Sequence, residues 1–151
     1  MADGEIRLGS GTGLWHDLVR EGEARAETRL PEPAEAYLVF LLMRHLRDGA
    51  LAGRTMALEW LRALELAGRP RADALRDVGD RCLLLAGWYP KLAERRRVSP
   101  DYFAAIGRSA YGEAAAVAGG GYGALLGELA ALYPGLVRVL ACSAARSSVR
   151  V

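Results

Sequence analysis

Side chains able to do chemistry are few in this sequence and fall into a handful of spacings. Taking Phe103 as zero and rotating about 100° per residue, Tyr102, Ser109 and Glu113 lie about 80° to 120° to one side of the apolar stripe of one helix. A phenol, a hydroxyl and a carboxylate in a line could hydrogen-bond a polar ligand at the rim of a cleft, with Arg95 or Arg96 supplying positive charge. The same line also fits ordinary packing at the border of a helix core. Asp73, Asp77 and Asp80, at i, i+4 and i+7, put three carboxylates on one helical face, as a hard cation would require. That face points within about 40° of the direction opposite the Leu75/Cys82 stripe, so all three are expected to face water. Arg76 is then within i+4 reach of Asp80 and Arg81 of Asp77.

The remaining reactive groups fit no catalytic pattern. His16 and His45 stand in no His-x-x-x-His or Glu-x-x-His arrangement, so no metal is expected. Cys82 falls on a core stripe, where a thiol is inert, and Ser109 has no histidine nearby in sequence to act as its base. Gly119 to Ala124 matches G-x-G-x-x-[GA], but a helix precedes it, whereas a dinucleotide loop must follow a strand. Two basic runs, Lys91 with Arg95 to Arg97 and Arg138 with Arg146 and Arg150, make a small phosphate footprint. With no Asn or Gln to read adenine and no helix-turn-helix, nucleic acid is disfavoured as a partner. Leu84 lies about 180° from Leu75 on the wheel and interrupts the charged face, with Trp88 and Tyr89 following in a turn. These three are candidates for a homodimer or protein-partner surface, unless the Lys91 to Arg97 segment folds back and covers Leu84 and Trp88 itself.

The elements that would carry these residues are helices throughout. Val, Ile and Thr are sparse, and no stretch alternates apolar and polar residues at useful length. Trp15, Leu18, Val19, Gly22 and Ala26 face one side of a first helix, with Thr12 as its expected cap, ending before Pro31. Pro33 opens a second with Tyr37, Leu38, Leu41, Leu42 and Leu46 on its apolar face, stopped by Gly49. A third covers roughly Thr55 to Ala67, and a fourth begins at Pro70 with Leu75, Val78, Cys82 and Leu85 inward. Lys91 to Arg97 forms a short helix or turn. Ser99-Pro100-Asp101 is a strong start for a fifth long helix running through Phe103, Ile106, Ala110, Ala114 and Val117. Gly119 to Gly121 break it, and two further helices carry Leu125, Leu129, Leu132 and then Leu136, Val137, Leu140. The expected architecture is all-α: a compact single-domain bundle of six or seven helices spanning residues 14–145, between a mobile tail at 1–13 and a frayed one at 146–151.

Composition agrees with one globular domain. The 151 residues carry a net charge of only +2 and are 52% hydrophobic, which excludes a disordered chain. Of the 20 basic residues only Lys91 is a lysine, a bias of GC-rich coding that discounts arginine abundance as evidence of phosphate binding. Two distant cysteines, Cys82 and Cys142, fit free thiols in a reducing cytoplasm, and the acidic, glycine-rich start has no signal-peptide core. The longest apolar run, Ala36 to Met43, is too short for a membrane span.

Leu75-Arg76-Asp77-Val78-Gly79-Asp80, Leu83 to Gly87, Pro90, Val98 to Phe103 and Gly107 to Tyr111 together resemble a family of uncharacterised bacterial all-helical proteins. Leu14 to Leu18 and Glu35 to Leu38 are similar to it too. The resemblance implies a bacterial source and carries over no site. The sequence thus favours a non-enzymatic helical module binding a protein partner or small ligand, with no cofactor. The alternative is an enzyme whose carboxylates, tyrosines and arginines converge from several helices.

Overall fold

The structure, a computed structural model, describes residues 10–45, 55–95 and 97–150. These form eight α-helices and no strand: α1 (Ser10–Ala26), α2 (Glu32–His45), α3 (Met56–Leu64), α4 (Gly68–Leu83), α5 (Pro90–Arg95), α6 (Pro100–Ala118), α7 (Gly120–Ala131) and α8 (Tyr133–Arg150). A π-helical turn, Leu84–Trp88, prolongs α4. The basic segment after it is a true helix, α5, so there is one helix more than expected. The first helix starts at Ser10, ahead of the expected Thr12 cap, and α8 continues to Arg150, beyond the expected end at 145. Gly49, the expected stop of the second helix, lies outside the described residues.

Local chemistry explains the best-defined boundary. Ser99 Oγ accepts from the amide of Tyr102 at 3.1 Å, Pro100 occupies the first turn, where no amide is needed, and Asp101 faces the positive end of α6. At its other end Gly119 takes φ 64°, a left-handed conformation that turns the chain into α7. Helices α7 and α8 then meet at 72° about Leu132.

The centre of the molecule is the α4–α6 pair, with α3 and α7 against it and the π-helical turn held among α5, α6 and α8. Alongside, α1 lies on α8 and carries α2. Glycines set the closeness of two of these contacts. A Cβ on Gly107 would overlap the Tyr133 hydroxyl and stand 2.8 Å from Cys82 Cβ, and one on Gly79 would enter the Tyr111 ring. On the α1–α8 side, a Cβ on Gly22 would meet the Val139 carbonyl at 2.6 Å. Gly107→Ala should therefore displace Tyr133, whose hydroxyl donates to Gly79 O at 3.2 Å, and lower unfolding stability by about 2 kcal/mol in urea titration. Unchanged stability would show that α4 and α6 can separate at no cost.

Candidate functional site

A groove of about 430 Å³ opens between α3 and α6, lined by Ala57, Trp60 and Leu61 on one side and by Tyr102, Ala105, Ile106 and Ser109 on the other. The α6 residues follow the i, i+3, i+4, i+7 rhythm of one helical face. Its wall is apolar, and the side-chain hydroxyls of Tyr102 and Ser109 are its polar features. Leu61 is 58% exposed and Leu58 45%, so the outer face of α3 continues the apolar surface beyond the groove. Volume and composition both match sites that hold small organic molecules, apolar with few polar groups to orient the ligand.

Of the residues expected to cooperate here, Tyr102 and Ser109 do share the groove. Glu113 is exposed on the same helix but does not line it, nor does Arg95, and Arg96 lies outside the described residues. Trp60 and Leu61 were not recognised as site residues from the sequence. Met56 and Ala63 are the buried residues of α3, while Trp60 and Leu64 are only half-buried. Leu58 and Leu61 on an exposed face were the visible signal.

The carboxylates of α4 correct the expectation that all three face water. Asp73 accepts from Arg69 Nε at 3.0 Å and from the Tyr122 hydroxyl at 2.8 Å, and Arg69 also stacks on that ring at 4.5 Å. Asp77 accepts from Arg81 Nε at 2.8 Å, the expected i+4 pair. Asp80 instead is 1% exposed and accepts from two phenols on Oδ1, Tyr37 at 2.7 Å and Tyr111 at 2.6 Å. The His45 Nε2 atom, also buried, stands 3.7 Å from Oδ2. Burial and the neighbouring carboxylate push the Tyr37 and Tyr111 hydroxyls well above the usual phenol range, so both stay protonated as donors. The three acids are thus satisfied separately and do not converge on a cation. Among the described residues no group of three His, Cys, Asp or Glu side chains could hold a metal ion.

The aromatic and apolar residues proposed as an interface are drawn inward. Leu84 is fully buried in a turn that packs against α5, so the chain covers it from within, as the alternative reading had it, and it offers no surface to a partner. Trp88 is half-buried and packs edge-on against Trp15 at 6.0 Å, and Tyr89 is half-buried. Cys82 is buried, which pushes its thiol up to about 12, and both cysteines are free.

A second groove, of about 650 Å³, lies at the elbow between α1 and α2, with Arg20, Glu23, Glu27, Arg29, Glu32 and Glu35 among its lining. Glu35 Oε1 is 3.2 Å from His16 Nε2, and its Oε2 is 3.9 Å from Arg20 Nε. Glu23 sits beside Glu35: desolvation, then the hydrogen bond and charge of Glu35, push its carboxyl up to about 7. The sequence does carry this signal, since His16, Arg20 and Glu23 recur at i, i+4 and i+7 on α1. Its meaning depends on Glu35 arriving from the next helix.

No single helix among the described residues is long and apolar enough to cross a membrane. No family model matches the chain, and no curated protein or solved structure matches it, so the reading of its sites rests on their own geometry.

Proposed function

We propose that this protein is a non-enzymatic binding module of the bacterial cytoplasm, and that the α3–α6 groove takes the apolar body of a small organic ligand. The observation that carries the reading is the wall of Trp60, Leu61 and Ile106 open to solvent, with two hydroxyls, Tyr102 and Ser109, at its edge. An apolar ligand entering the groove removes that wall from water, a gain of about 25 cal/mol for each Å² covered. Tyr102 and Ser109 orient whatever polar group the ligand carries.

Trp60 reports on occupancy because its indole lines the groove. Titration with 1-anilinonaphthalene-8-sulfonate, a small aromatic anion, should enhance the probe's emission and perturb that of Trp60. Ala105 is exposed on the groove wall, so Ala105→Trp fills the space while leaving the core intact. It should weaken probe binding by about tenfold or more with little change in melting temperature. Probe affinity unaffected by Ala105→Trp would place binding elsewhere and remove the α3–α6 groove as the site.

A further inference from the structure

The elbow groove between α1 and α2 is independent of the α3–α6 groove and differs from it in chemistry, because its lining carries charges of both signs. We propose that it binds a small zwitterion, with the ligand's ammonium group held by Glu23 and Glu35 and its carboxylate by Arg29. Three observations converge on this. Glu23 Oε2 is buried and receives no N–H or hydroxyl hydrogen bond from the protein, and the side chain's one hydrogen-bonding neighbour is another carboxyl, Glu35. Folded proteins pair nearly all such atoms, and a ligand N–H entering the groove supplies the missing donor. Glu35, 14% exposed, is already oriented by His16 at 3.2 Å and by Arg20 at 3.9 Å, so it does not have to be ordered on binding. Arg29 lines the same groove, is exposed, and acts on the Glu23 carboxyl through its charge.

Two guanidiniums, Arg20 and Arg29, face four carboxyls, Glu23, Glu27, Glu32 and Glu35, so the groove favours an ammonium group and disfavours a bare anion. Arg29 is the group that favours a zwitterion over a simple amine, by pairing with its carboxylate. A molecule with an ammonium group at one end and a carboxylate at the other meets an opposite charge at each. The proton balance is explicit. Below neutrality Glu23 holds a proton against Glu35; an ammonium group displaces it, the carboxyl becomes a carboxylate paired with the ligand, and the proton passes to buffer. Because Glu23 titrates at about 7, affinity should rise with pH through that value and level off above it.

The test is isothermal titration calorimetry with glycine, 4-aminobutanoate and 6-aminohexanoate, each in two buffers of different ionisation enthalpy. At least one should bind, releasing close to one proton near pH 6 and none near pH 9. At pH near 8, Glu23→Gln should weaken that ligand by about tenfold or more and abolish proton release in the acid range. Arg29→Ala should weaken the zwitterion, while the amine of the same length, without its carboxylate, should bind no more weakly than to the wild type. Arg29 is exposed, so that variant keeps the test valid should Glu23→Gln fail to fold, as checked by circular dichroism. Absence of binding by all three compounds at about 10 mM, an affinity too weak to matter for a site, would overturn the proposal. So would binding to Glu23→Gln with wild-type affinity and proton release.

Discussion

Leu84→Glu is expected to lose at least about 4 kcal/mol of unfolding stability, enough to leave much of the protein unfolded at ambient temperature. Leu84 is fully buried, and the four residues from Leu83 to Ala86 are all closed off from solvent. The turn they form packs against α5, α6 and α8 at once, so a carboxylate there has no route to water. The π-helical geometry adds to the constraint: the Tyr89 amide reaches back to the Leu84 carbonyl at 2.7 Å, pinning the backbone where the charge would sit. Urea denaturation followed by circular dichroism, with light scattering on the same samples, separates the outcomes. A folded, wild-type-stable monomer derived from a wild-type dimer would show Leu84 at a subunit interface and refute its place in the core.

Asp80→Ala should be nearly as damaging, lowering stability by about 3 to 5 kcal/mol. The carboxylate is the shared acceptor of Tyr37 and Tyr111, which come from α2 and α6 and meet edge to face at 6.4 Å. Removing it leaves two buried hydroxyls without this acceptor and opens a gap between three helices. Asp80→Asn retains one acceptor oxygen and should lose substantially less. Tyr37→Phe and Tyr111→Phe should each lose about 1 to 3 kcal/mol, with the double variant departing from additivity because both phenols share Oδ1. The network also has an optical signature. Of the six tyrosines, Tyr37, Tyr111 and the equally buried Tyr133 are raised well above the ordinary range, burial being the first cause in each. Their ionisation at 295 nm should appear only when the protein unfolds in alkali. In Asp80→Ala, a protein that keeps wild-type stability would show the network to be ornamental.

Periodicity alone determined that this chain is all-helical, where most helices break, and that Phe103, Ala110 and Ala114 of α6 face inward, whereas Val117, read onto the same stripe, is exposed and Tyr111, left off it, is buried. Those are properties of local backbone geometry: a 3.6-residue repeat, a serine cap with proline behind it, and a glycine free to adopt positive φ between α6 and α7. The Arg81 pair with Asp77 was readable for the same reason, since both partners sit on one helix. Tertiary structure alone decided the rest. A helical wheel assigns one wet face to each helix, which holds for a helix at the surface but fails for the end of α4, where α2, α6, α8 and the π-helical turn leave no face open. That rule placed Asp80 in water and left Leu84 on the same wet face in need of cover, and both are buried within the chain. The two grooves were hidden for a related reason. Tyr102 and Ser109 share a helix, but their wall is completed by Trp60 and Leu61 from α3; the Glu23 carboxyl is pushed up by burial and then by Glu35, which arrives from α2. A site built across helices depends on how they pack, and no spacing along one of them encodes that.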